Sequence, residues 1–214
     1  TKISPRGAAS ASREARFTAS PRMVYWRRPL VPMPPAMTGP VLMPIPSAIG
    51  AIAIQSLRQA KLELGESVAV IGLGLLGQFL VQLCRASGCR VIGVDLDPGK
   101  CALAVQNGAE AACGPDTDEA LHHALRVSGG LGVDAVLLTV STKDLGPIEL
   151  SAALVRDRGR VVCLGNTAIS LDWRTWFGKV IDFLFSRAMG AGIFDPDYFY
   201  RGRDYPVGYV RWTA

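Results

Sequence analysis

The sequence has few of the residues that usually build metal or catalytic centres. It holds two histidines, His122 and His123, and five cysteines, of which none are spaced as C-x-x-C. Neighbouring positions of a helix do not face one another, so the two histidines are a poor pair of ligands, and we expect both on a surface helix away from the carboxyl ends of the strands. An odd number of cysteines in apolar runs indicates buried free thiols in a reducing compartment. We therefore expect no metal site and a cytoplasmic location.

Charge is also scarce and unevenly placed. Hydrophobic residues make up 49% of the 214 residues and charged residues 19%, which is typical of a globular chain and not of a disordered one. The net charge is +5, but residues 1–47 hold seven Lys/Arg and one acid, so the remainder is close to neutral. The basic excess belongs to the N-terminal segment, and we expect no nucleic-acid partner.

Residues 1–47 differ in composition from the rest of the chain. They carry 9 of the 14 prolines and show no apolar periodicity, which is incompatible with a regular helix or a central strand. Three interpretations are open: an irregular or disordered arm, which we favour, an Arg- and Ser-rich targeting peptide, or an out-of-frame segment. We expect a dinucleotide-binding domain over residues 48–190 and an aromatic-rich C-terminal tail over residues 191–214.

From residue 48 onward, apolar runs alternate with helical patterns. The predicted strands lie in "ESVAVIGLG", "CRVIGVDLD", "AEAAC", "VDAVLLTV", "RVVCLG" and "KVIDFLFSR". The predicted helices are "AIGAIAIQSLRQAKLELG", "LLGQFLVQLCRASG", "PGKCALAVQNG", "TDEALHHALRVSGG" with Thr117 as a cap, and "PIELSAALVRDRG". Strands that are apolar on both faces and separated by helices predict an α/β fold with a doubly wound parallel sheet of about six strands.

Three glycines, Gly72, Gly74 and Gly77, interrupt the apolar run "VAVIGLGLLGQFL" where a predicted strand gives way to a helix. That position argues against a membrane span, and so do the nearby glutamines. In this context G-x-G-x-x-G allows a tight turn, close approach of a pyrophosphate and close packing of the helix on the strand. We therefore expect a dinucleotide site and no membrane partner.

The next predicted strand ends in Asp95, 18 residues after Gly77, and Lys100 lies early in the next helix. A carboxylate at this point accepts the ribose hydroxyls of the adenosine and repels a 2′-phosphate, so we expect NAD to be preferred over NADP. The alternative is that Asp95 only caps the helix after it.

The stretch "LRQAKLELGESVAVIGLGLLGQFLVQLCRASGCRVIGVDLDPGKCALAVQNGA" resembles the cofactor domain of the medium-chain, alcohol-dehydrogenase-like ("zinc-binding") oxidoreductases. The later "IDFLFSRAMGAGIFDPDYFYRGRDYPVGYVRWT" is similar to a bi-domain oxidoreductase subgroup. The resemblance implies a Rossmann fold and a nicotinamide cofactor. By position it implies cofactor contacts at Gly72, Gly74, Leu75, Leu76, Gly77, Asp95, Lys100, Val140, Ser141, Gly165 and Asn166, with Thr139 and Leu164 in the same loops.

Members of this family place a GroES-like catalytic domain before the cofactor domain, and most zinc ligands of the zinc-using relatives lie there. We therefore expect this chain to be a fragment that holds no zinc, binds NAD and does not turn over substrate alone. The reaction that the resemblance implies is hydride transfer involving a small polar alcohol, polyol or sugar. We also expect the chain to self-associate through the apolar face of "AIGAIAIQSL". No catalytic residue can be named. The open alternatives are a non-catalytic NAD or adenine-nucleotide binding module and an inactive truncated product.

Overall fold

The computed structural model describes residues 45–188, 190, 196–199 and 201, all of which belong to a compact unit over Val41–Ala214. Residues 1–44 of the expected Pro/Arg-rich arm lie outside the described residues. Most of the aromatic-rich tail expected over residues 191–214 also lies outside them.

Six strands alternate with helices in the described part of the chain. In chain order the elements are α1 (Ile45–Ala60), β1 (Ser67–Ile71), α2 (Leu75–Ala86), β2 (Arg90–Val94), α3 (Pro98–Gln106), β3 (Ala111–Cys113), α4 (Thr117–Ser128), β4 (Val133–Leu138), α5 (Gly146–Leu154), β5 (Val155–Cys163), α6 (Trp173–Gly178), β6 (Asp182–Phe185) and α7 (Pro196–Phe199).

The strands form one parallel sheet in the order β3-β2-β1-β4-β5-β6. The chain runs outward from β1 to β3, then crosses to the other side of β1 to begin β4. Parallel strands whose order reverses in this way leave a crevice outside the carboxyl ends of β1 and β4. The doubly wound sheet predicted from the sequence is confirmed, and the fold is of the Rossmann type.

Alternate residues of each strand feed two separate cores, which explains why the strands are apolar on both faces. Val68 and Val70 of β1 pack with buried residues of α1, α2 and α3. Ala69 and Ile71 of the same strand pack with buried residues of α4, α5 and α6. The two cores place three helices on each face of the sheet.

Several element boundaries differ from those expected. Helix α1 ends at Ala60, because Lys61 takes a left-handed conformation with φ 47° before the expected stop at Gly65. Helix α4 is capped by Asp116 and not by Thr117, since the Asp116 carboxylate accepts from the Glu119 N–H at 2.9 Å.

The largest boundary difference lies between α5 and β5. The sequence predicted a helix through Gly159, but α5 ends at Leu154 and the residues after it extend β5. The pairing of β5 with β4 shifts register here, and Arg158 has φ 56°. An irregular strand start of this kind interrupts the alternation of apolar and polar residues. The charged residues between Val155 and Gly159 therefore fit the exposed face of a helix as well as a strand.

Helix α1 packs on the sheet more fully than its apolar sequence suggested. Ala53 and Ala60 are fully buried, and the buried Ser56 hydroxyl donates to the Ser186 hydroxyl after β6 at 3.1 Å. Ile54 remains 41% exposed. Much of the face that we expected to drive self-association is therefore covered within the described chain. No helix among the described residues is long and apolar enough to cross a membrane.

Candidate functional site

The glycine turn between β1 and α2 lies at the crevice. Gly72 has φ 96°, a conformation that side chains disfavour, and a Cβ there would lie 2.6 Å from Thr139 Oγ1. A Cβ at Gly77 would collide with the Gly72 carbonyl. These two glycines are therefore required by the packing of the turn itself.

Gly74 is different, because a Cβ there would meet nothing within 4 Å. It stands at the N-cap of α2, where no side chain of the described residues accepts a hydrogen bond from the first turn. Leu75 directly after it is 59% exposed. Because Gly74 has no side chain and the amides of the first turn have no side-chain acceptor, the N-terminus of α2 has room for an anion. The positive end of the helix dipole also favours an anion there.

Asp95 lies just beyond the carboxyl end of β2 and reaches back to the glycine turn. Its carboxylate accepts from the Leu73 N–H at 2.6 Å and from the Asp97 N–H at 3.0 Å, and it lies 3.6 Å from Lys100 Nζ. The helix cap is Asp97, which accepts from the Gly99 N–H at 2.8 Å. The simpler alternative for Asp95, that it merely caps α3, is therefore wrong.

The Gln78 side chain supports the glycine turn through hydrogen bonds, a role that was not predicted from the sequence. Its side-chain amide donates to the carbonyls of Leu73 and Lys100 at 3.1 and 3.0 Å and accepts from Asn107 at 2.9 Å. It is only 7% exposed. A glutamine inside an otherwise apolar helix face was the available signal, because a buried amide needs partners.

The loops after β4 and β5 join at the other side of the crevice. The Thr139 hydroxyl donates to the Gly72 carbonyl at 2.6 Å and so ties the β4 loop to the glycine turn. Ser141 Oγ donates to the Asn166 carbonyl at 3.3 Å. The expected nicotinamide-side residues, Val140, Ser141, Gly165 and Asn166, are thereby brought to one edge together with the glycine turn.

Leu96 was not singled out from the sequence. It lies directly after Asp95 and is 85% exposed. It also lines a cavity of about 300 Å³ between α3 and β3, together with Asp95 and Cys113. An exposed apolar side chain beside a polar crevice is a natural contact for a flat apolar ring.

The histidines are placed less uniformly than expected. His122 is exposed on α4, but His123 points toward Cys113, the last residue of β3. The expectation that both lie away from the carboxyl ends of the strands is wrong for His123. The ligand atoms of Cys113, Glu119 and His123 all lie within 4.8 Å of one another. Burial raises the pKa of the Cys113 thiol to about 11 and lowers that of His123.

One known protein family matches this part of the chain. The family model described as zinc-binding dehydrogenase matches residues 76–193, more than half of the chain. The chain belongs to the zinc-binding dehydrogenase family. Its matched part contains α2 from Leu76 onward, Asp95 and the loops after β4 and β5, so the described unit is the family's nicotinamide-cofactor domain.

Curated relatives are similar over part of their length. An alcohol dehydrogenase of Rhizobium meliloti (strain 1021) is 31% identical over 116 residues, which is 54% of this chain and 33% of that protein. A D-guloside 3-dehydrogenase of Escherichia coli (strain K12) is 31% identical over 93 residues, which is 43% and 27% of the two chains. The chain therefore spans about a third of these relatives.

Solved structures match in the same partial way. The alcohol dehydrogenase TADH from Thermus sp. ATN1 superposes with a TM-score of 0.59 at 24% identity, covering 68% of this chain and 42% of that one. A structure described as a zinc-binding dehydrogenase from Sinorhizobium meliloti 1021 bound to NADP gives 0.58 at 26% identity, covering 65% and 42%. These similarities support the Rossmann fold.

Proposed function

We propose that the carboxyl edge of the sheet binds NAD and that the chain is the cofactor-binding part of an oxidoreductase acting on a small polar alcohol, polyol or sugar. The observation that carries the proposal is the Asp95 carboxylate, which is held by the Leu73 N–H beside the open N-terminus of α2. Phosphate oxygens suit the uncapped amides, and ribose hydroxyls suit the carboxylate.

Each remaining group has a defined task in this proposal. Gly74, Leu75, Leu76 and the closely packed Gly77 would hold the pyrophosphate at the start of α2. Lys100, which is close to both Asp95 and Asp97, would contact the ribose from its exposed side. Leu96 would cover one face of the adenine. Val140, Ser141, Gly165 and Asn166 would line the nicotinamide.

The bound cofactor would supply the hydride chemistry, and the protein's task is orientation and electrostatics. The fixed loops after β4 and β5 suit orientation, because the hydrogen bonds of Thr139 and Ser141 hold them to each other and to the turn. The relatives named as an alcohol dehydrogenase and a D-guloside 3-dehydrogenase support a hydroxylated substrate for the whole enzyme.

The cofactor choice is tested by calorimetry with NAD and NADP on the purified chain and on Asp95→Asn. Hydrogen bonds to charged groups contribute about 1.5–3 kcal/mol, so NAD affinity should fall roughly ten- to a hundredfold. The asparagine side chain can still accept a hydrogen bond from the Leu73 N–H, so the turn should persist. The difference between the affinities for NAD and NADP should become smaller.

Asp97→Asn is the matched control, because Asp97 is exposed and caps α3 without contacting the glycine turn. Because Asp97 also lies 3.9 Å from Lys100, its loss can change the ratio of NADP to NAD affinity, but by far less than the loss of Asp95 does. The proposal fails if the unaltered chain binds NADP as tightly as NAD, or if Asp97→Asn shifts the ratio as much as Asp95→Asn does.

A non-catalytic nucleotide-binding module is the second candidate. The observation that favours it is that both histidines of the sequence lie on α4 and not in the β4 and β5 loops. The two candidates differ in turnover: NADH formation with a panel of polyols and sugars, lost in Gly74→Val, would support the oxidoreductase. Tight NAD binding without turnover would support the module.

The proposal includes the cytoplasm as the place of action. All five cysteines are free and buried, which agrees with a reducing compartment. Mass spectrometry of protein alkylated in denaturant as the cells are lysed should find five alkylated cysteines per chain.

A further inference from the structure

The corner between β3 and α4 assembles three metal-binding side chains that the cofactor proposal does not use. Cys113 ends β3, and Glu119 and His123 lie four residues apart on α4, hence on one face of that helix. Their ligand atoms lie within 4.8 Å of one another. We propose that Cys113, Glu119 and His123 form a binding site for one divalent cation of the zinc class.

A buried ring nitrogen without a hydrogen-bond partner supports this assignment independently of the distances between the three residues. His123 Nδ1 is inaccessible to solvent and has no hydrogen-bond partner among the described residues. A buried imidazole nitrogen without a partner is costly, and such groups in native proteins call for an explanation. A cation bound through Nδ1 would supply the missing partner.

The donor set suits zinc rather than magnesium or calcium. Zinc takes thiolate, imidazole and carboxylate ligands, whereas the harder cations prefer all-oxygen sites. In a tetrahedral zinc site neighbouring ligand atoms are separated by roughly 3.4–3.6 Å, because the metal–ligand bonds are about 2.0–2.3 Å long. The ligand atoms therefore need to approach one another by only about an ångström.

The elements that carry the ligands are rigid. Ala120, Ala124 and Val127 anchor α4 in the core, and Asp116 fixes its first turn. The Cys113 carbonyl accepts from the Asp95 N–H at 3.1 Å, which holds the end of β3 against β2. The Cys113 and His123 side chains therefore extend from elements that the fold already holds in place.

The charges balance when the cation binds. Binding breaks the Cys113 S–H bond, forms a metal–sulfur bond and releases one proton to water. The thiolate and the Glu119 carboxylate then neutralise the two positive charges, while His123 binds as a neutral ring. Three protein ligands leave one coordination position for water.

Cobalt(II) titration of the full chain tests the site, because Co²⁺ bound by thiolate in a tetrahedral site absorbs visible and near-ultraviolet light. The reduced, chelator-stripped chain should bind one Co²⁺ with a thiolate charge-transfer band, and Zn²⁺ should abolish that band. Loss of even an outer-shell partner weakens metal binding about 10- to 100-fold, so His123→Gln and Glu119→Gln should each weaken it at least as much.

Matched controls exist on the same sheet and helix. His122→Gln alters the exposed neighbouring histidine, and Cys163→Ser alters an equally buried cysteine at the end of β5. Both should bind Co²⁺ like the unaltered chain, whereas Cys113→Ser should lose the charge-transfer band. If Cys113→Ser fails to fold by circular dichroism, His123→Gln decides, because its ring is only partly buried. The absence of a thiolate band, or an unchanged Co²⁺ affinity in His123→Gln, would overturn the site.

Discussion

The two ends of the parallel sheet are built on opposite plans. At the amino edge, charged side chains are paired with each other: Asp134 with Arg156 at 2.7 Å, Glu110 with Arg90 at 2.7 Å, and Glu66 with Arg160. At the carboxyl edge, Gly74 faces open space and the first turn of α2 has no side-chain cap among the described residues. The charged side chains of the amino edge are thus paired with each other, whereas the amides at the start of α2 have no side-chain acceptor among the described residues.

The contrast is clearest in two aspartates. Asp134 accepts from Ser67 N–H and Oγ at 2.7 and 2.8 Å as well as from Arg156, so its carboxylate is fully engaged in joining β1, β4 and β5. Asp95 is also held by the fold, because it accepts from the N–H groups of Leu73 and Asp97 and its side chain is only 12% exposed, but its charged partner Lys100 is 46% exposed. Both carboxylates therefore support the structure, and the proposed cofactor site gives a second task only to the one at the carboxyl edge.

The largest effect is expected at the carboxyl edge. Gly74→Val places a side chain where a Cβ meets nothing, so the fold should be unchanged, but it fills the space proposed for the pyrophosphate. Overpacking costs about 1–3 kcal/mol, so NAD affinity measured by calorimetry should fall roughly 5- to 150-fold. Gly178→Val, where a Cβ also meets nothing within 4 Å, is the size-matched control. Equal NAD affinity in the two variants would remove the glycine turn from the site.

At the amino edge the effect should be on stability alone. Asp134→Ala leaves Arg156 and the Ser67 N–H without their acceptor, and a lost charged hydrogen bond costs about 1.5–3 kcal/mol. The free energy of unfolding in urea should fall by that amount while NAD affinity is retained. Asp118→Ala, at an exposed position in the first turn of α4, should change stability far less. A large loss of NAD affinity in Asp134→Ala would contradict the division between the two edges.

The smallest effect is expected in acid. Burial acts to raise the pKa of Asp134, but hydrogen bonds from Ser67 and Arg156 outweigh it and hold that pKa below its ordinary value. A lowered folded-state pKa stabilises the fold above the unfolded value of about 3.9, and the stabilisation is lost as the pH falls through the folded value.

Unfolding free energy should therefore decline below about pH 4, and the decline should be shallower in Asp134→Asn, which cannot titrate. Urea titrations of both chains across this range make the measurement. Parallel pH profiles for the two chains would show that the ion pair at the amino edge adds nothing to acid stability.

The order of strands and helices, the parallel sheet and the glycine turn can be predicted from the amino-acid sequence, because they depend on local apolar periodicity and residue spacing. The register shift of β5 after Leu154 cannot, since it depends on pairing with β4. Tertiary packing is what brings the Gln78 amide to the Leu73 carbonyl and the Asp95 carboxylate to the Leu73 N–H. It also decided that His123, and not its neighbour His122, meets Cys113 in a candidate ligand set. Such contacts join residues from different elements, and their distances are set by how helices pack on the sheet, which no local pattern encodes.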